Sequence, residues 1–317
     1  MYRLAAGGTA RTYYGFVLAI AAAACGDSST STKSPLVDTR VIAYVSDSDN
    51  VGSSSIFTMH ADGTHKSRLT SGNFHDESPR WSPDGASITF QSSRQPGGIW
   101  IMNADGSDQR PFLVYPEFSS PSELHWSPDG RSIAFIADVD GVLVIMVADA
   151  DGSHAHRLTT NPKGEIWPSW SPDGTRMAFM AISDSLVYSI FIAKTDGSEQ
   201  RQLTYGLDAQ PEWSPDGTRI AFTNLEDGDH PQIFVMQADG SHRRALTVGD
   251  ANAEPAWSPD GRQLAYDVVE TDSTQPRPLR IFRINADGSD ARAITMDRAG
   301  ELSSYSSSWQ PAWKPTP

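Results

Sequence analysis

Trp170-Ser171-Pro172-Asp173-Gly174, continued by Thr175-Arg176-Met177-Ala178-Phe179-Met180, is the stretch that decides the fold. The tryptophan ends one short segment. Ser-Pro-Asp-Gly then reverses the chain: proline presets φ, aspartate bonds back to the backbone, and glycine accepts φ > 0. The partly alternating segment after it returns as a strand. The same phrase starts at Trp81, Trp126, Trp213 and Trp257, so successive copies lie 45, 44, 43 and 44 residues apart. Trp313-Lys314-Pro315 is a degenerate sixth copy. A period in the low forties with short strands inside it is that of a propeller blade.

Outward from Trp170, residues 188–193 form a second apolar segment, expected to be a strand buried on both faces. Asp196-Gly197 is a hairpin turn, and 200–204 form a short outer strand. The Asp-Gly turn recurs at Asp62, Asp105, Asp151, Asp239 and Asp287. Leu-Thr or Ile-Thr ends the outer strand at Leu69, Leu158, Leu203, Leu246 and Ile294, while the second blade reads Phe112-Leu113-Val114 instead. Six turns and six tryptophan phrases predict an all-β, six-bladed β-propeller of four-stranded antiparallel blades over residues 39–317. The first blade, from Val41, has no tryptophan strand before it. The last tryptophan strand, 308–313, has no blade after it. The C-terminal strand is therefore expected to pair with the N-terminal blade and close the ring.

Residues 1–24 carry Arg3 and Arg11, no acid, and the apolar run 16–24, which is too short to span a bilayer permanently. They read as a signal peptide. Cys25, the chain's one cysteine, follows directly and rules out an internal disulfide. This junction resembles the lipobox of bacterial lipoproteins, with Ala22 where leucine is usual. The resemblance implies cleavage before Cys25 and its lipidation. Residues 25–38 would then be a lipidated, serine-rich tether.

The net charge is −14, and without residues 1–24 it is −16, from 23 basic and 39 acidic residues. Such a charge opposes binding to nucleic acid and to anionic lipid surfaces. Contact with a membrane is expected through the lipid anchor only, and the chain is expected to be a monomer.

The Trp-Ser-Pro-Asp-Gly phrase, an Ile-Ala-Phe strand, Asp-Gly and Arg-x-Leu-Thr together resemble the propeller repeat of the TolB family, periplasmic components of the Tol–Pal envelope system. The resemblance covers about residues 39–317. TolB carries an α/β domain before its propeller and is typically not lipidated. Here about 14 residues separate Cys25 from the first strand. The resemblance thus implies a TolB-like lipoprotein of the cell envelope, exported, lipid-anchored and facing the periplasm, and not TolB itself. Similar repeats occur in propellers attached to prolyl-oligopeptidase-like enzymes and in oligogalacturonate lyases.

Let the strands of a blade be A to D from the centre outward. The A–B turns (Ser-Pro-Asp-Gly) and C–D turns (Asp-Gly-Ser) share one face and vary little. The B–C loops (47–54, 92–98, 184–186, 226–231 and 268–278) and the D-to-A crossings share the other, where function is expected. The crossings are acidic, with Asp76, Glu77, Glu123, Glu165, Asp208, Asp250, Glu254 and Glu301. Asp76, Glu165 and Asp208 stand five residues before the tryptophan, with Asn252 in the matching place. These positions are expected to converge around the axis as a ring of oxygens for a divalent cation or a basic partner segment. No cofactor beyond that cation is indicated. Trp167, outside the phrase, is the aromatic ligand candidate of the mouth. The five phrase tryptophans are expected in the core between blades.

Asp138-Val139-Asp140-Gly141 and Asp149-Ala150-Asp151-Gly152 lack the full calcium-loop pattern and read as hairpin turns. His75 and His125, assigned to successive crossings, are the two histidines placed for a lyase-type metal site. No Gly-x-Ser-x-Gly, His-Glu-x-x-His or phosphate loop occurs. The expected function is a non-catalytic envelope lipoprotein that binds an envelope protein or peptide on its acidic face. The alternative is a propeller enzyme of polysaccharide lyase or hydrolase type acting at the channel mouth.

Overall fold

The computed structural model describes residues 40–47, 53–113, 119–159, 161–228, 230–269, 279–295 and 308–316. The signal peptide, Cys25, the tether and Glu301 lie outside the described residues. The unit Asp38–Pro317 consists of six four-stranded antiparallel sheets. Blades 2 to 6 each run A-B-C-D in chain order, with strands A at Asp76–Trp81, Ser119–Trp126, Glu165–Trp170, Asp208–Trp213 and Ala251–Trp257. Blade 1 takes its strand A, Ser308–Trp313, from the C-terminus. It pairs antiparallel with Val41–Ser46, Ile42 opposite Trp313 and Ser46 opposite Ser308. The predicted closure is what is observed.

The core is six layers, one between each pair of neighbouring blades. One layer packs Ala134, Ile145, Val147 and Leu158 of blade 3 against Met177, Phe179, Ala181 and Ala193 of blade 4. The layer that closes the ring packs Ala265, Ile281 and Ile294 against Ile42, Tyr44, Met59 and Trp313. A strand between two such layers is buried on both faces, so its sequence reads as an apolar run and not as alternation. Met177–Ala181 of strand B in blade 4 are buried without interruption.

The repeated phrases are the contacts between repeats. The indole N–H of Trp81 donates to the Ala312 carbonyl, Trp170 to His125, Trp257 to Glu212 and Trp313 to Ala256, at 3.0–3.3 Å. Each acceptor stands one residue before the preceding blade's tryptophan, so these four indoles stitch strand A to strand A at four of the six blade junctions, while those of Trp126 and Trp213 have no such partner. The C–D turn does the same at the rim. A Cβ on Gly197 would collide with the carbonyl oxygen of Leu158, and one on Gly63 with that of Ile294. Asp-Gly and Leu-Thr therefore recur together because one docks on the other in the next blade.

The outer strands are shorter than the sequence suggests. Strand D of blade 4 is Arg201–Gln202 alone. Leu203 and Thr204 both donate their N–H to Ile190, which bends the chain into the crossing. Blade 2, which lacks the pair, keeps four residues, Arg110–Leu113.

Candidate functional site

Every strand A carries a bulge, and this bulge builds the axial channel. Three residues before each tryptophan stand Ser78, Glu123, Trp167, Gln210, Glu254 and Gln310, all left-handed, with φ from 51° to 55°. In each blade this residue falls within a break of the A–B pairing register. Left-handed backbone costs about 1–2 kcal/mol at a non-glycine residue. Because all six blades bear that cost at the same place, the bulge belongs to the architecture.

The bulge resets the side-chain phase of the strand. Strict alternation would put the residues one, three and five before the tryptophan on one face. With the extra residue, the first two line the channel and the third turns into its blade. The resulting cavity measures about 410 Å³. Its walls include Glu123, Trp167, Gln210, Glu254 and Gln310 from the bulges, and Arg80, His125 and Glu212 from the position before the tryptophan. Toward the A–B turns it is lined by tryptophans and by Pro83, Pro128, Pro172, Pro215 and Pro315. None of these lining residues belongs to a B–C loop. The cavity therefore opens on the turn face, opposite to the face expected.

The acid ring expected at the crossing mouth is corrected in the same way. Asp76 is buried and accepts from Ser92 Oγ and Arg94, both at 2.6 Å. Asp208 is buried and accepts from Asn224 at 2.8 Å and Arg243 at 3.0 Å. Burial raises the carboxyls of Asp76, Glu165 and Asp208 above the ordinary range, against the lowering pull of Arg94, Arg157 and Arg243. The hydroxyls of Thr70 and Thr204, at the end of the preceding blade's Leu-Thr pair, add to the lowering pull on Asp76 and Asp208. Asp76 and Asp208 thus make their bonds to Ser92, Arg94, Asn224 and Arg243 within their own blades. Asn252 is buried and bonds Gln232 at 3.0 Å. None of the four lines the channel. Glu77, half-buried, accepts from Ser54 at 3.2 Å, and the Asp250 carbonyl accepts from Gln232 at 2.9 Å.

Three of the anticipated residues, Glu123, Trp167 and Glu254, do share the channel. A belt of bonds connects most of the bulge residues. Gln210 donates to Glu254 at 3.2 Å, Ser78 N–H to Gln310 Oε1 at 2.7 Å, and Ser78 Oγ to Glu123 at 3.2 Å. The Gln310 N–H donates to Asp267, whose carboxyl also feels the charge of Glu254. Arg80 stands 3.9 Å from Glu123 and is the one cationic side chain of the channel lining among the described residues.

Channel side chains keep some contact with water but are walled in by protein, and this disfavours charge. Glu212 is raised to about 7 by burial, with Arg80 and Ser169 pulling it down. Glu254 is also raised to about 7, by burial and then by Glu123. Asp267 is pushed well above its ordinary range by burial and by Glu254. His125 lies on the channel wall and not in a crossing. Burial, then Arg80, holds it well below 6.5, so its ring is neutral.

Arg80, Glu212, Gln210, Gln310 and Asp267 were not anticipated. The available signal was proline two residues before the tryptophan, at Pro79, Pro168, Pro211, Pro255 and Pro311. Proline marks an edge strand or a bulge. Among the described residues no group of three His, Cys, Asp or Glu converges as a metal site.

Comparison with known proteins agrees with this fold. A Tol–Pal system protein TolB of Anaeromyxobacter dehalogenans is 33% identical over 118 residues, 37% of this chain and 27% of that protein. The match thus spans about a quarter of that relative's length. The crystal structure of TolB from Acinetobacter baumannii superposes with a TM-score of 0.74 over 89% of this chain and 68% of that one, at 20% identity. An oligogalacturonate lyase of Vibrio parahaemolyticus superposes with a TM-score of 0.51 over 81% and 73%, at 15% identity. These two are likenesses of fold. A family model described as the TolB beta propeller domain matches residues 22–203 and 145–314. That match covers well over half of the residues, and the chain belongs to the TolB beta propeller domain family.

Proposed function

We propose that the chain is a non-catalytic scaffold of the bacterial envelope that seats a basic side chain of a protein partner in its axial channel. The observation that carries this is the charge of the cavity: Glu123, Glu212 and Glu254 face a single guanidinium, Arg80, beside the indole of Trp167. A lysine or arginine entering from the turn face would meet carboxylates and an aromatic wall, a pairing that strengthens away from water. The guest's charge would also draw the proton from Glu212 and Glu254, so binding should tighten as pH rises through about 7. The propeller of TolB supports an envelope setting. Export and lipid anchoring at Cys25 are part of the same reading, and a Cys25→Ser chain should lose labelling by palmitate in cells.

The test is retention from solubilised envelope extract, read by mass spectrometry at low and high salt. A Glu123→Gln/Glu212→Gln/Glu254→Gln chain is run alongside. A partner released by both the variant and high salt is expected. If no protein is retained by the wild-type chain in either condition, the reading fails.

A further inference from the structure

The large apolar side chains left exposed among the described residues are Phe74, Leu186, Tyr188, Tyr205, Leu207 and Val248. All six belong to D-to-A crossings or to B–C loops and the strand end beside them. None lies on a turn of the opposite face. Single exposed apolar residues are ordinary, whereas a contiguous set marks an interaction surface. Four of these are contiguous. Leu186 and Tyr188 stand in and just after the B–C loop of blade 4, which Ser183 closes by bonding Val187 and Leu186. Tyr205 and Leu207 stand in the next crossing, held against the same strand end by Thr204 N–H to Ile190 and by Ser189 Oγ to Gly206 at 3.5 Å. The Leu207 carbonyl accepts from Leu225, which brings in the B–C loop of blade 5. Tyr205 is 81% exposed and Leu186 76%, so neither supports the core.

The charges around this patch decide what fits it. Its two cations are already engaged. Arg243 lies over the rings of Phe222 and Phe234 and pairs with buried Asp208 and with Glu226. Lys163 donates to the Ser183 carbonyl and pairs with Asp184. Asp184, Glu226 and Asp227 remain at the exposed rim.

We infer that the crossing face of blades 4 and 5 is a second docking surface, one that takes a basic, amphipathic segment of a partner protein. Apolar side chains of the segment cover Tyr205, Leu186, Tyr188 and Leu207, and its lysines or arginines meet the acidic rim. A second copy of this chain would bring a like-charged rim and a net charge of −14. An anionic membrane would be repelled in the same way. This surface is separate from the channel, and the two fail independently.

The probe is a fluorescein-labelled amphipathic peptide of about 14 leucines and lysines at helical period, with a leucine–glutamate peptide as control. Anisotropy is read on the full-length chain. Saturable binding of the lysine peptide is expected, weakened roughly tenfold in Leu186→Ser/Tyr205→Ser. A smaller loss is expected in Glu226→Gln/Asp227→Asn. Removal of two charges from the turn face, by Asp105→Asn/Asp196→Asn, should leave binding in place. Equal binding by the Leu186→Ser/Tyr205→Ser chain would show attraction by net charge alone and overturn the inference. So would self-association, or sedimentation with phosphatidylcholine vesicles, that the same double substitution abolishes.

Discussion

The backbone N–H of Gln310 donates to both carboxylate oxygens of Asp267, at 3.1 and 3.0 Å. This bond ties the C-terminal inner strand to blade 6, while Gln310 Oε1 accepts from Ser78 of blade 2. The strand that closes the ring is thus held from both sides. Asp267→Ala should leave a buried N–H without an acceptor and cost about 1–3 kcal/mol in urea unfolding. Asp267→Asn keeps an acceptor and should cost less. Removal of residues 308–317 takes strand A from blade 1 and should abolish the single cooperative transition.

Gly197 and Gly141 share a φ of +81°, but only Gly197 lies against another blade. Alanine at either position takes on left-handed strain of about 1–2 kcal/mol. At Gly197 the new methyl also meets the Leu158 carbonyl. Gly197→Ala should therefore be less stable than Gly141→Ala by a further ~1–3 kcal/mol. Equal melting temperatures for the two variants would refute the docking role assigned to the Asp-Gly turn.

Stability should fall as pH rises from about 4.5 to about 7. Glu212 and Glu254 bind protons more tightly in the folded chain, at about 7, than at their ordinary 4.5. Their contribution is complete below the ordinary value and is lost as pH passes through the folded one. The turn carboxylates act in the opposite sense. Those of Asp84, Asp129 and Asp173 are lowered, first by a serine hydroxyl and then by a backbone N–H, and lose their contribution as pH drops below 3.8. Melting temperature should peak between about pH 4 and 5, and Glu212→Gln/Glu254→Gln should flatten the decline above it.

Asp208 and Glu254 separate stability from binding. Asp208→Ala removes the buried partner of Arg243 and should cost about 1–3 kcal/mol. The half-buried guanidinium retains Glu226, so the loss should not be larger. Partner retention by the folded fraction should be unchanged. Glu254→Gln should leave thermal unfolding at pH 6 nearly intact and weaken retention.

Blade number, strand count and closure were legible in the sequence because each rests on local chemistry repeated at a fixed period. Trp-Ser-Pro-Asp-Gly and Asp-Gly-Ser prescribe their own turns. A blade without its inner strand at one end and a lone strand at the other complete each other. The position of the accessible cavity was not legible, because it depends on one bulged residue per inner strand. Nothing in Asp208-Ala209-Gln210-Pro211-Glu212-Trp213 except Pro211 announces that Gln210 is left-handed. Without that bulge, alternation places Asp208 beside Glu212; with it, Asp208 is buried against Arg243 and Glu212 lines the channel. Likewise, the exposure of Leu186 and Tyr205 follows from which segments the ring brings together at its crossing face. Repeats determine how a ring is built, whereas the direction of each side chain was decided by backbone phase and by packing against the neighbouring blade.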